Sequence, residues 1–206
     1  MKFLILGNKH KMKFIKKEIK QLQKENKFKY DILRVYNPTE IKIQQQFKEI
    51  AGIDVNVKKA LGGSSLKYFP ITHIAYFMYI TPSHHPEFFQ DSTVTGFLCA
   101  FSLIRKDNDI LEILVLNSHL GCGGLMIDFL EKNNDVNKII LVSSVLAVHF
   151  YQKKGFWIDT TWTYERFQPV MIKFLKGEES FENHNIQKNI PLLISLCSKW
   201  ERFINT

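Results

Sequence analysis

Three groups of residues have types and spacing that could do chemistry. Glu112 is the one charged residue in the apolar run Ile110, Leu111, Ile113, Leu114, Val115 and Leu116. Enclosing an unpaired carboxylate in such surroundings costs enough to raise its pKa or force a partner, and a carboxylate tuned toward neutrality suits general base work. Downstream, Gly121, Cys122, Gly123 and Gly124 close a strand pattern and open a helical one. Such a junction offers unpaired backbone N–H groups and the positive end of a helix dipole to an anion, and pyrophosphate fits it. Glycine is needed there because the backbone must come close to the phosphate and can take a positive φ. Tyr151 lies in Ala147-Val148-His149-Phe150-Tyr151-Gln152-Lys153-Lys154-Gly155-Phe156. With an ordinary pKa of about 10, its hydroxyl is a proton donor at neutral pH.

Other residues carry weaker readings. Cys122 at a helix start could have a lowered pKa and act as a nucleophile. Leu120 stands where a nucleophile elbow has its first glycine, however, and no fitting base is identifiable. His84 and His85 are adjacent, precede Pro86 and lack a third ligand, so they are expected to face solvent or line a substrate loop. No metal site is expected. His119 and His149 are either proton relays or polar surface residues.

The elements that must position these groups follow from periodicity. Residues 2–6 read as a strand, and Met12, Ile15, Ile19 and Leu22 form the apolar stripe of an amphipathic helix ending near Asn26. A strand at 30–36 is stopped by Asn37-Pro38, and Thr39 caps a helix through Ile43, Phe47 and Ile50. Gly62-Gly63-Ser64-Ser65 is a turn that requires no domain boundary. Strands follow at 73–80 and 93–104, separated by a Pro/His loop at 81–92. The polar stretch 105–109 reads as a hairpin turn into the strand at 110–116, which implies antiparallel pairing. After the glycine turn come a helix to about Lys132, a strand at 138–143 and a helix at 146–154. Strands at 156–163 and 170–175 and a helix at 190–203 complete a mixed α/β pattern.

Composition sets outer limits. The chain of 206 residues, 45% apolar and 23% charged, suits one soluble domain with a sizeable core. The longest nearly uncharged stretch, 69–86, falls short of a bilayer span, so no membrane association is expected. Cys99, Cys122 and Cys197 are odd in number and widely spaced, which favours a reducing, cytoplasmic setting over a disulfide framework. The net charge of +8 sits wholly in residues 1–29, where ten lysines face only Glu18 and Glu25. A stripe this basic could meet nucleic acid, an acidic protein or a membrane surface. Lysine usage on a solvated helix face is the simpler reading, and nucleic acid is not favoured.

The order of strand 110–116, glycine turn, helix, strand 138–143 and the Phe150-Tyr151-Gln152-Lys153-Lys154-Gly155-Phe156 segment resembles the GNAT superfamily of acetyl-CoA-dependent N-acetyltransferases. The resemblance covers roughly residues 93–165. It implies an α/β (α+β) fold with a mixed, mostly antiparallel sheet flanked by helices and splayed at the acetyl-CoA site. It implies a single domain over 1–206, with a variable part at 1–70, a cofactor-binding core at 71–180 and a C-terminal helix at 181–206.

The implied activity is transfer of an acetyl group from acetyl-CoA to a primary amine by direct attack. Glu112 would be the general base and Tyr151 the general acid. Main-chain N–H groups of Leu114, Val115 and Leu116 would meet the oxyanion. His119, Leu120, Gly121, Cys122, Gly123, Gly124 and Leu125 would cradle the pyrophosphate, with Ser144, Ala147, Phe150 and Lys153 as further cofactor-binding positions. The family pattern Arg/Gln-x-x-Gly-x-Gly/Ala falls on residues 118–123; both glycines match, Ser118 replaces Arg or Gln, and the connection is about two residues short. That departure motivates an alternative, a catalytically impaired module that binds acyl-CoA or docks on a macromolecule through the basic N-terminal face. The amine acceptor, a small molecule or a protein, is left open.

Overall fold

The computed structural model describes residues 9–51, 73–90, 95–159 and 168–176. The expected strand at 2–6, the turn at 62–65 and the helix at 190–203 lie outside these residues. Among the described residues, seven strands form one mixed, mostly antiparallel sheet accompanied by helices, an α/β architecture. The chain divides into two compact units, one of residues 1–105 and 114–130, the other of 106–113 and 131–206.

The first unit opens with helix α1, Lys9–Lys24, three residues earlier than its apolar stripe indicates. Ile15 and Ile19 are buried while Lys13, Lys16, Lys17, Lys20 and Lys24 are exposed, so the 3.6-residue period sorts the side chains as the sequence requires. Strand β1, Asp31–Tyr36, buries Leu33 and Val35 and leaves their neighbours outward. Asn37, at φ 49, ends it. Helix α2, Glu40–Ala51, starts at Thr39, whose Oγ1 accepts the Lys42 N–H at 3.2 Å as an N-cap.

Strand β2, His73–Ile80, has the bounds its sequence pattern gives, and every residue in it is buried. It pairs antiparallel with β1 on one side and with β3, Phe97–Asp107, on the other. Leu33, Val35, Ile43, Phe47, Ala75, Phe77, Tyr79, Leu98, Phe101 and Leu103 form a core, and Leu114 and Val115 pack against it. Phe47 meets Phe77 and Tyr79 edge-on at 5.1 and 5.5 Å, geometry that adds about 0.5–1.5 kcal/mol per pair beyond burial.

Strand β3 runs through Arg105, Lys106 and Asp107, which their polarity alone would assign to the turn. The turn is only Asn108 and Asp109, with Asn108 at φ 47. Exposed charged residues can remain in a ladder because their side chains point to water while the backbone pairs. Two strands joined by two residues must be antiparallel, so the expected hairpin into β4, Ile110–Ser118, is present. Helix α3, Gly123–Asn133, follows β4.

In the second unit, β4 pairs in parallel with β5, Lys138–Val142, over four residues only, from Ile110↔Lys138 to Ile113↔Leu141. A single 3-10 turn, Val145–Ala147, leads from β5 into helix α4, Val148–Lys153. The continuous helix expected at 146–154 is thus a tight turn followed by six α-helical residues. The short strand β6, Trp157–Ile158, pairs antiparallel with β7, Val170–Phe174, and β7 pairs antiparallel with β5. The strand order across the sheet is β1-β2-β3-β4-β5-β7-β6. Among the described residues, no helix is long and apolar enough to cross a membrane.

Candidate functional site

In the first unit, β4 ends at Ser118 and the chain crosses residues 119–122 into α3 at Gly123. Gly121 is exposed with φ +76, a conformation that disfavours any residue with a Cβ. The His119 and Leu120 N–H groups both donate to the Cys99 carbonyl, at 3.1 and 3.4 Å. Those two amides tie the turn to β3. Cys122 carries the first α-helical acceptor, taking the Met126 N–H at 3.0 Å.

Ser118, the residue that departs from the family pattern, is engaged within the turn, where its Oγ accepts the Gly123 N–H at 3.0 Å. A helix leaves its first N–H groups without intrahelical partners, and this hydroxyl satisfies one of them. The residue at the Arg/Gln position of the pattern thus caps the helix. Gly124 and Leu125, half-buried, supply the next two N–H groups of the first turn.

The cysteines of this unit are buried. The Gln23 side-chain amide donates to Cys122 Sγ at 3.5 Å, and Cys122 Sγ lies 3.9 Å from the Leu120 carbonyl. Burial, and then the Cys122 thiol beside it, pushes the Cys99 thiol well above its usual range. A Cys122 enclosed in this way packs the turn; it is not placed as an exposed nucleophile.

In the second unit, Glu112 stands opposite Ile140 of β5. Strand alternation turns Leu111 and Ile113 inward, both buried, and Glu112 to the other face, where it is half-buried. Its enclosure is therefore less complete than six apolar neighbours in sequence suggest, because only alternate residues share its face. Neither is it at a sheet edge, since β4 is an interior strand.

Tyr151 is buried, with its ring against Phe150 at 5.0 Å and Phe156 at 5.7 Å. Burial raises its pKa, so its hydroxyl keeps its proton throughout the neutral range. The helix end explains why glycine and phenylalanine follow. The Phe156 N–H donates to the Tyr151 carbonyl at 3.1 Å and the Gly155 N–H to the Gln152 carbonyl at 2.9 Å, with Gly155 at φ +81. These two bonds, the left-handed glycine and the apolar contact between Phe156 and Tyr151 make a complete Schellman motif. Lys173 braces it: its ammonium bonds Glu131 at 2.6 Å and lies 5.9 Å from the Phe156 ring centroid.

Of the other expected positions here, Ser144 is exposed and its carbonyl accepts the Ala147 N–H at 3.0 Å and the Ser143 hydroxyl at 2.7 Å. Ala147 is half-buried, Lys153 is exposed, and Phe150 is 38% exposed beside Leu146 at 87%. Leu146 and Phe150, four residues apart, present apolar surface to solvent.

His85 does not face solvent, and His84 is half-buried. His85 is buried between Phe28 and Phe88, accepts the Lys29 N–H at 3.1 Å through Nε2 and meets Glu87 through Nδ1. His84 Nδ1 accepts the Thr81 N–H at 3.1 Å, and its Nε2 lies 3.4 Å from Asp31. Both fasten the 81–90 loop. Among the described residues, no group of three or more His, Cys, Asp or Glu side chains could hold a metal ion.

The residues that sequence reasoning missed are on α1. Lys16 Cε and Lys20 Cε lie 3.7 and 3.9 Å from the point where a Cβ on Gly121 would stand. With Gln23 on Cys122, the stripe Lys16, Lys20, Gln23 follows the glycine turn. Its i, i+4, i+7 spacing was legible as one helix face, but nothing in the sequence says what that face meets.

No protein-family model and no curated protein matches this sequence. Among solved structures, the chain is similar to a putative N-acetyltransferase from Lactobacillus plantarum, at 15% identity and TM-score 0.45, over 71% of this chain and 99% of that one. It is similar to the putative N-acetyl transferase YhhK from E. coli bound to coenzyme A, at 16% identity and TM-score 0.41, over 71% of this chain and 98% of that one. An acetyltransferase of the GNAT family from Streptococcus pneumoniae is similar at 13% identity and TM-score 0.41, over 71% of this chain and 100% of that one.

Proposed function

We propose that this chain is a GNAT-type N-acetyltransferase that moves an acetyl group from acetyl-CoA to a primary amine. The observation that carries the reading is the run of β4 beyond its four-residue parallel ladder into a glycine turn at positive φ and the start of α3. This is the order of parts that the sequence resemblance requires, built from this chain's own residues. The turn suits a diphosphate: Gly121 has no side chain to obstruct it, and Gly124 and Leu125 offer first-turn N–H groups. His119, Leu120 and Gly123 contribute shape, since their N–H groups already have acceptors.

In this reading Glu112 takes a proton from the acceptor ammonium, and the freed nitrogen attacks the thioester carbonyl. Main-chain N–H groups of Leu114, Val115 and Leu116 meet the oxygen on which charge develops. The carbon–sulfur bond then breaks, the leaving thiolate takes the Tyr151 proton, and the second proton lost by the attacking nitrogen restores the tyrosine by way of solvent. Ser144, Ala147, Phe150 and Lys153 are the further cofactor-binding positions that the resemblance implies. Holding amine and thioester together supplies much of the remaining acceleration.

Thiol release from acetyl-CoA with mixed amines and peptides, beside a calorimetric titration with CoA, tests the proposal. Tyr151→Phe keeps the ring packing and removes the proton, so turnover should fall by roughly 10²–10⁴-fold while CoA affinity stays unchanged. Full turnover in that variant would remove Tyr151 from the role. A second reading, a CoA-binding or docking module without turnover, is favoured by one observation: Ser118 stands in place of Arg or Gln and occupies the Gly123 N–H. CoA binding without thiol release in any acceptor set would select it.

A further inference from the structure

We infer that the basic helix α1 is part of the cosubstrate site, with Lys16 and Lys20 supplying to the diphosphate the positive charge and hydrogen bonds that Ser118 cannot. The inference rests on the acetyl-CoA reading above and goes beyond it by recruiting residues about a hundred positions upstream of the turn.

The geometry is specific. Ile15 and Ile19 are fully buried and anchor α1, and the Gln23 amide on Cys122 Sγ sets its rotation. Residues four apart lie on one helix face, so Lys16 and Lys20 project together. Their Cε atoms stand 3.7 and 3.9 Å from the Cβ position of the exposed, left-handed Gly121. One bond further out, two ammonium groups are within reach of an anion seated on that turn. Among the described residues, neither lysine forms a salt bridge with a carboxylate. Glu18, the acid between them, is two residues removed and so points to a different side of the helix.

The charge distribution acquires a reason. Seven of the ten lysines in the first 29 residues lie on α1. Lys16 and Lys20 meet Gly121, three residues after the position where the family pattern has Arg or Gln and this chain has a serine. The short side chain of Ser118 serves the helix, and the long side chains of α1 serve the ligand. Lysine is suited to this because its ammonium acts as a mobile point charge that follows a phosphate.

Calorimetric titration of the full chain with CoA and with dephospho-CoA tests the assignment, comparing wild type, Lys16→Gln/Lys20→Gln and Lys16→Arg/Lys20→Arg. The paired Gln variant should bind both ligands about 10-fold more weakly, as expected for two lost solvent-exposed ion contacts. The Arg pair should stay near wild type. The salt dependence of CoA binding should be shallower in the Gln pair, because fewer ion contacts remain to be screened. If wild type binds CoA and the Gln pair binds it equally well, this inference falls and the acetyltransferase reading stands. A loss seen with CoA and absent with dephospho-CoA would move the lysines to the 3′-phosphate and overturn the diphosphate assignment. Failure of wild type to bind CoA would end both.

Discussion

Replacing Gly155 by alanine isolates the device that holds the candidate acid. Gly155 has φ +81, and a residue with a Cβ in that left-handed region costs about 1–2 kcal/mol. Space is not the difficulty: the new Cβ would meet Lys173 Cε at 3.5 Å, an ordinary contact with a flexible side chain. The cost is therefore in the backbone. If alanine leaves the left-handed well, the bonds from Gly155 to Gln152 and from Phe156 to Tyr151 go too, at about 1 kcal/mol each. The strain and the bond loss are alternatives and the chain takes the cheaper, so the cost is about 1–2 kcal/mol. For a chain of this size each kcal/mol lowers the unfolding midpoint by about 2–4 °C. Asparagine tolerates the left-handed region better than alanine, so the midpoints should rank Gly155, then Gly155→Asn, then Gly155→Ala. Turnover should fall in the same order as the Phe156–Tyr151 contact loosens. Scanning calorimetry and thiol release on the three proteins suffice. Alanine as stable as glycine, or asparagine worse than alanine, would refute the reasoning.

Ser118→Ala leaves the Gly123 N–H without its acceptor and should cost about 0.5–2 kcal/mol, readable as a lower urea midpoint with an unchanged slope. Stability should also fall at alkaline pH. Burial holds the Tyr30, Tyr79, Tyr151 and Cys99 protons to higher pH in the folded chain, so the unfolded chain releases them first. Their contribution is whole below about pH 8, declines as the unfolded thiol titrates and declines further above about pH 10 with the tyrosines. A urea midpoint that stays flat to about pH 11 would contradict these shifts.

Much of the architecture was legible in the sequence. Alternating or continuous apolar runs marked β1, β2, β5 and β7, and Thr39 and Asn37-Pro38 marked two boundaries with side chains that perform the expected bonds or stops. Local chemistry also announced the end of α4, because a left-handed glycine followed by an apolar residue is written in neighbouring positions. What stayed hidden is tertiary. Gln23 meets Cys122, and His85 meets Lys29, across long stretches of chain that no local period encodes. Glu112 was read from all its neighbours, although a strand gives it only every second one. The Arg105 to Asp107 stretch was read as turn because its side chains are polar, although pairing depends on the backbone.

Helix α4 has six residues, well under the length at which a helix sustains itself in water. Its persistence depends on what grips its ends, the 3-10 turn before it and the Gly155-Phe156 clasp after it. A segment of that kind can open by itself while the surrounding strands remain paired. The candidate proton donor would then be displaced by a local event, at a temperature well below that of global unfolding.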